Sequence, residues 1–446
     1  MHVTYIKPKI GRREKGEYID EGRMEPLQLG VLAGMVSKNI GATLFDDRFE
    51  KIDYDCPTDL VAITVESFTA RRAYEIAKEY YRRGVPVIMG GMHATLIPGE
   101  VSRYADSVFT GDGEITWPTV VADAERGCLK PLYQAARGAP QTGETPVRRD
   151  LFHGKGYLPI SLLQFSRGCP YECRYCATNA YFHHKHYCRP VEEVIKEIGQ
   201  QSRRVLFFVD DNFTANHAAV KKLLRALIPL KIMWAGQISV DAIWDTELLD
   251  LMQKSGCLGF VVGFESLSML CLQGMNKKQN THNFDRYETA IRLLQDRGFQ
   301  IWAAFTLGHD YDTKSSIEDT VAFTLKHKFT FAAFNILLPY PNTVLYEDLK
   351  AQNRLLYDGQ WWLHKDYRFN GAAFIPKNMT PEELTGLGYR ARQQFNSYSA
   401  LLRRACHLKT NMRSLKKLGL YAFYSLLFKR EVKKKEGMLF GDSSAI

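Results

Sequence analysis

The feature that most restricts this chain's fold is a strand–helix alternation that runs through it twice. In the first 130 residues, apolar runs at 3–6, 43–45, 60–65, 85–89 and 107–110 read as strands. Amphipathic stretches between them, notably 70–83 and 115–126, read as helices. Strands that alternate with helices build a parallel sheet covered on its faces, the doubly wound α/β arrangement. A second series follows a Gly- and Pro-rich stretch at 127–156. Its strands are 162–166, 205–209, 232–238, 260–263, 301–307 and 332–337, with helices between them. Six β/α steps make a partial barrel, because a closed ring takes eight. The expected division is an α/β domain at 1–130, a linker at 131–156, a partial (β/α)6 barrel of TIM type at 157–345 and a helical C-terminal extension with a basic tail at 346–446.

Nine cysteines in 446 residues are too few for a disulfide scaffold, so their placement matters more than their number. The first barrel strand leads into Arg167-Gly168-Cys169-Pro170-Tyr171-Glu172-Cys173-Arg174-Tyr175-Cys176. Thiolates spaced C-x3-C-x2-C on one loop converge on a soft metal centre, zinc or iron–sulfur. A structural zinc site closes with four ligands, and an electron-transfer cluster is held by four cysteines. Three cysteines leave one metal position open to a substrate or cosubstrate. The rival reading is a zinc site completed by His183, His184, His186 or Cys188, which gives the surrounding β/α series no role.

On these residues the chain resembles the radical S-adenosylmethionine (SAM) enzymes. Their signature is C-x3-C-x-Φ-C with an aromatic Φ, here Tyr175, after the first barrel strand. The resemblance implies a [4Fe–4S] cluster on Cys169, Cys173 and Cys176, with SAM chelating the fourth iron. It also implies SAM contacts from the strand ends. Asp210, Asp211 and Asn212 would face the amino group, and Gln237 and Ser239 end the third strand. Gly263, Glu265 and Ser266 would face ribose and carboxylate, and Asn335 to Pro341 the adenine. The family's Gly-Gly-Glu at the second strand is replaced here by Asp-Asp-Asn.

The N-terminal series is similar to the Rossmann-like cobalamin-binding domain of cobalamin-dependent radical SAM proteins. The matching pieces are 59–64, Gly90-Gly91-Met92-His93, and Gly111-Asp112-Gly113-Glu114 followed by Trp117. Gly90, Gly91, His93, Gly111, Gly113 and Glu114 are therefore candidate cobalamin contacts. The Asp-x-His-x-x-Gly motif whose histidine ligates cobalt does not occur, so His93 is expected at the corrin edge or as a backbone cap.

The implied chemistry is reductive cleavage of SAM to a 5′-deoxyadenosyl radical, hydrogen abstraction and cobalamin-dependent methylation of an unactivated carbon. Radical cyclisation or rearrangement is the alternative within the class. Cofactors of this kind carry the hard chemistry while the protein positions and shields them. A flavodoxin- or ferredoxin-type electron donor is an implied partner. A methylthiotransferase would want extra clustered N-terminal cysteines, and only Cys56 and Cys128 lie there. The net charge of +10 also permits an iron–sulfur or zinc regulator that binds nucleic acid. No nucleic-acid motif accompanies it, and the basic residues concentrate in the tail. Cys56, Cys128, Cys257, Cys271 and Cys406 read as small buried hydrophobes.

In the tail, 415–428 holds Leu and aromatic residues between Lys clusters. Such a helix either lies on an anionic membrane surface or packs on the barrel. In the first case a lipid-like substrate becomes attractive, with Trp361, Trp362 and Tyr367 lining an apolar pocket. No run reaches the ~18 apolar residues of a spanning helix. Met1 to Arg13 carries charges and Pro8 in place of an apolar targeting core. A cytoplasmic location is expected, with peripheral contact to the inner membrane surface through the tail.

Overall fold

The computed structural model describes residues 1–138 and 146–442; part of the expected linker, 139–145, lies outside them. The first sheet has six parallel strands in the spatial order Gly41–Asp46, His2–Lys7, Leu60–Thr64, Val87–Gly90, Ser107–Thr110 and Leu132–Gln134. This is the flavodoxin-like order, and its direction of winding reverses between His2–Lys7 and Leu60–Thr64. The near-continuous apolar strands follow from burial on both faces. Val61, Ile63 and Met89 pack beneath the helix Ala70–Arg82, while Leu60, Ala62 and Ile88 pack against Leu29 and Trp117.

The expected linker at 131–156 is shorter than its composition suggests. Leu132–Gln134 joins the sheet as its edge strand, and Phe152 is buried in the first domain's core. Only Tyr133 of that strand is buried, so it carries no apolar periodicity.

The second sheet follows chain order, all parallel: Ser161–Leu163, Val205–Phe208, Met233–Ile238, Cys257–Glu265, Gln300–Leu307 and Phe331–Ile336. The first and last strands do not pair, which leaves the partial barrel open. Alternation along each strand sorts the side chains. Leu206 and Phe208 point outward, into the core beneath Val191–Gly199 and His217–Leu227.

Strand neighbours Val205 and Phe207 pack instead against the cluster Leu158, Ile160 and Leu162, as do Tyr424 and Leu427 of the terminal helix Leu415–Lys435. Phe428 of the same helix lies 4.7 Å from Trp302 and 5.2 Å from Phe331, centroid to centroid. One face of the tail is thus part of the barrel's packing. The helical extension contains Pro381–Phe395 and Tyr398–Ala405, and Ser397 caps the second of these.

The extension also binds the first domain. Trp361, Trp362, Tyr367 and Phe440 are buried in the core formed by Ile63, Val65 and Met89. They are packing residues rather than the lining of a lipid pocket. Leu439–Phe440 pairs antiparallel with Gly11–Arg12. Cys257 and Cys271 are buried as expected, whereas Cys128 and Cys406 are exposed and Cys56 is half-buried.

Candidate active site

The first barrel strand stops at Leu163 and the chain turns into an antiparallel hairpin, Ser166–Gly168 with His186–Cys188. The cysteine loop and the helix Ala177–Phe182 hang between its arms. Gly168 sits at φ +79°, where a Cβ would stand 2.1 Å from the Lys185 carbonyl oxygen. The Arg-Gly-Cys sequence therefore needs its glycine for the hairpin.

Asp210, expected at the SAM amino group, is instead spent on this turn. Its carboxyl accepts the Phe165 N–H at 3.1 Å, the Ser166 N–H at 2.5 Å and the Ser166 hydroxyl at 2.5 Å. Burial pushes its pKa up to about 7, against the pull of those three donors. Asp211 accepts the Gly168 N–H at 2.9 Å and the Thr178 hydroxyl at 3.0 Å. Gln237 donates to the Asp210 carbonyl at 3.0 Å. These three brace the root of the cysteine loop.

Asn212 reaches Cys169, and Ser239 stands behind it. Asn212 Nδ2 lies 3.9 Å from Cys169 Sγ and 3.3 Å from Ser239 Oγ. At the fourth strand's end Glu265 adopts φ +65°, a left-handed conformation uncommon for a residue with a side chain. It accepts the Thr306 hydroxyl at 2.8 Å and pairs with Lys277 Nζ at 2.7 Å. Ser266 accepts the Ser268 N–H and does not reach this pair. Gly263 is packed close: a Cβ there would stand 2.5 Å from Glu265 Oε1. Asn335 is exposed beside Thr306 in the strand register.

Lys277 escaped the sequence reading because a Lys-Lys pair after a short helix looks like surface. Its Nζ is 3.5 Å from the Tyr175 hydroxyl, inside the signature itself. Burial opposes its charge, but Glu265, Tyr175 and Cys173 together outweigh burial and hold its pKa well above the ordinary value.

Burial pushes the Cys173 thiol up to about 11, with Lys277 opposing and the other two cysteines adding to the rise. Burial also raises Cys169, while the Tyr171 backbone and Asn212 act against it. Thiols in this state resist losing a proton to solvent, and a metal that replaces the proton removes that cost. Among the described residues no three His, Cys, Asp or Glu side chains form a ready site for a single ion. His183 and His184 are exposed, and Cys188 lines a different cavity. Three thiols with no fourth protein ligand suit a cluster with one open position.

That cavity is a cleft of about 710 Å³ between the two sheets, at the carboxyl ends of the first sheet's strands. Gly90, Gly91, Gly111, Gly113 and Glu114 all line it, with Ala62 to Thr64 at the switch point. Ligands bind at this place in open α/β sheets. The glycines are there for different reasons. Gly91 at φ +105° and Gly111 at φ +87° are required by the backbone; a Cβ at Gly111 would stand 2.1 Å from the Ala135 carbonyl oxygen. A Cβ at Gly90 would meet only Phe109, at 3.4 Å and 3.6 Å. The fold does not demand glycine at that position; an open cleft does. The site fits a bulky cofactor held by shape.

His93 does not line the cleft. It is fully buried, with Nδ1 3.0 Å from Ser67 Oγ and Nε2 3.2 Å from Glu100 Oε1. Glu100 also takes the Tyr74 hydroxyl at 2.8 Å and the Trp362 indole N–H at 3.0 Å. The expected cofactor-edge histidine thus anchors the C-terminal extension.

The two sites share a wall. Arg167 Nη1 lies 3.1 Å from Asp112 Oδ2, and Nη2 pairs with Glu114. Tyr181, on the helix after the cysteines, donates to Asp112 at 2.7 Å. Burial disfavours the Arg167 charge, yet Glu114 and Asp112 outweigh it and raise its pKa.

Residues 163–324 match the radical SAM superfamily model. The bacteriochlorophyllide d C-12(1)-methyltransferase of Chlorobaculum tepidum is 28% identical over 399 residues, 86% of each chain. The bacteriochlorophyllide d C-8(2)-methyltransferase of the same organism is 27% identical over 355 residues, 74% of this chain and 78% of that one. The radical SAM methyltransferase TsrM from Kitasatospora setae, solved with cobalamin and a [4Fe–4S] cluster, superposes with a TM-score of 0.64 at 16% identity, over 98% of this chain and 99% of that one. On the superfamily match, the barrel of this chain is a radical SAM domain. The curated relatives named here are methyltransferases, and the radical SAM domain implies a [4Fe–4S] cluster and SAM as its cofactors.

Proposed function

We propose that Cys169, Cys173 and Cys176 hold the cluster, that Asn212, Ser239, Glu265, Lys277 and Asn335 border SAM, and that Gly90, Gly91, Gly111, Gly113 and Glu114 wall the cobalamin cleft. Asp210, Asp211 and Gln237 act as positioning residues, and Gly263 leaves room for the Glu265 carboxylate. The first domain, on this reading, extends to about residue 138, with the barrel beginning near 157. Bound together, the cofactors supply a radical that abstracts hydrogen from an unactivated carbon and a methyl group to replace it.

The chain's own residues hold these groups in register. Lys277 fixes a positive charge beside Cys173 and Tyr175, balanced by Glu265. The barrel's outer core excludes water from the strands that carry the site. We take the acceptor to be a chlorophyllide-like macrocycle, because the two curated methyltransferases named above act on bacteriochlorophyllide d. A flavodoxin- or ferredoxin-type donor supplies the electron.

The observation that carries this reading is the Arg167 link to Asp112 and Glu114, which joins the cysteine loop to the cleft's own loop. The test is anaerobic reconstitution with iron, sulfide and cobalamin, then incubation with SAM, a reductant and bacteriochlorophyllide. About four irons per chain, 5′-deoxyadenosine and a product heavier by one methyl group are expected. One zinc per chain and intact SAM overturn the cluster assignment. SAM cleavage with a cyclised, unmethylated product overturns the assignment of methyl transfer.

A further inference from the structure

Residues 398–435 hold eleven Lys and Arg and one Glu, a surplus of ten that equals the net charge of the whole chain. The rest of the sequence is balanced. The same segment holds seven of the seventeen large apolar side chains that are exposed among the described residues, including Leu402, Leu408, Leu415, Phe423 and Leu426. Elsewhere such side chains are scattered singly, which is ordinary for a soluble surface. Their concentration together with all of the excess charge is not.

The structure brings these features onto one face. Tyr398–Ala405 and Leu415–Lys435 form an antiparallel pair. Tyr421 donates to the Leu401 carbonyl at 2.7 Å, and Lys429 to the Asn396 carbonyl at 2.9 Å. The Lys429 ammonium also sits 3.5 Å from the centroid of the Tyr398 ring. The inward side of the second helix packs on Trp302 and Phe331 and, through Tyr424 and Leu427, on the cluster Leu158, Ile160 and Leu162. Its outward stripe runs Leu415, Phe423 and Leu426, then Arg430 and Lys433, at helical spacing. Leu402 and Arg403 stand exposed on the neighbouring helix.

Several cations of the segment are already used inside the fold. Arg404 is buried on the carbonyls of Ala400, Thr330 and Phe395, and Lys435 pairs with Glu431 at 2.7 Å. Arg403, Lys416, Arg430 and Lys433 are exposed and make no ion pair among the described residues. Unpaired cations interleaved with exposed Leu and Phe on a rigid helical hairpin match the chemistry of an anionic bilayer surface. A polyanion such as nucleic acid would use the cations and leave the apolar side chains in water.

We propose that the outer face of this hairpin seats the enzyme on anionic lipid. No helix among the described residues is long and apolar enough to cross a membrane, so the contact is interfacial. The inference stands independently of which molecule is methylated.

The test is co-sedimentation of the full-length holoenzyme with vesicles of phosphatidylcholine, alone or with about one third phosphatidylglycerol. Binding is expected to the anionic vesicles and to fall on raising salt. Arg430→Glu with Lys433→Glu should weaken it by about tenfold, and Leu402→Ser with Phe423→Ser by a similar factor. All four positions are exposed, so the melting temperature should hold. Equal sedimentation with and without anionic lipid overturns the proposal. So does vesicle binding that ignores the Leu402 and Phe423 changes, or duplex DNA that binds as tightly as vesicles.

Discussion

At its carboxyl edge the first sheet ends in glycines, Gly90, Gly91, Gly111 and Gly113. The second ends in functional side chains, Asp210, Asn212, Ser239 and Glu265, beside three thiols. Both are parallel sheets with ligand space in the same topological place. They differ in what the ligand asks of them. A cluster needs thiolates at fixed positions, so its site is written in side chains. On the proposed reading, a corrin is broad and arrives with its metal already held, so its site is written in space that side chains leave free. Arg167 then joins the two kinds of site by one partly buried ion-pair cluster.

The comparison breaks if the two sites cannot be lost separately. Cys173→Ala has the largest expected effect. Bound iron and sulfide should fall below about a tenth of the wild-type value, while the absorption of bound cobalamin stays. Loss of both cofactors in that variant would mean the sites are one folding unit. Arg167→Leu comes next. Removing it leaves Asp112 and Glu114 paired with nothing of opposite charge at that wall. Breaking a partly buried pair of this kind should cost about 2 kcal/mol after allowance for its exposure, read as a lowered denaturation midpoint. Methylated product per 5′-deoxyadenosine should fall by about tenfold or more, because small misplacements of reacting groups cost that much. An unchanged ratio would show that the link holds the domains without aligning their cofactors.

The glycine edge can be tested within itself. Gly90→Leu should weaken cobalamin binding by about tenfold and leave iron content alone, since Gly90 lines the cleft and its Cβ would meet Phe109 only at van der Waals distance. Gly111→Ala should instead destabilise the fold by about 1–3 kcal/mol, because φ is +87° there and the Ala135 oxygen is in the way. If the two variants behaved alike, the distinction between glycine for space and glycine for backbone would fail.

What could be read in advance follows the same line. The parallel strands were legible because burial on both faces makes them continuous apolar runs, and the thiols because their spacing has few uses. Contacts made across the chain left no local trace. His93 turns inward because Glu100, Tyr74 and Trp362 assemble around it, and Trp362 lies far along the sequence. Trp361 and Trp362 read equally well as pocket or core until the extension is seen folded onto the first domain. Lys277 owes its role to Glu265 on one side and Tyr175 on the other, and neither is its neighbour in sequence. Leu132–Gln134 pairs through its backbone and buries one residue, so hydropathy could not reveal it. Asp210 was found by motif position, yet the structure gives its oxygens to Phe165 and Ser166.

That last residue supplies the smallest effect and the sharpest check on the side-chain edge. The Asp210 carboxyl is enclosed, and burial raises its pKa from 3.8 to about 7. Between those values the folded chain keeps a proton that the unfolded chain has released. Folding stability is therefore present in full below the unfolded pKa and declines as pH rises through the folded one, by at most about 1.4 kcal/mol per pH unit. A neutral carboxyl and an amide have the same shape and one donor side each, so Asp210→Asn mimics the protonated state. The wild type and the variant should unfold at similar urea concentrations near about pH 5, and the wild type should lose ground near about pH 8 while the variant's own profile lacks this contribution. A wild-type midpoint that instead rises over this range relative to the variant would mean that the donors from Phe165 and Ser166 outweigh burial. Asp210 would then hold the cysteine loop as an ion.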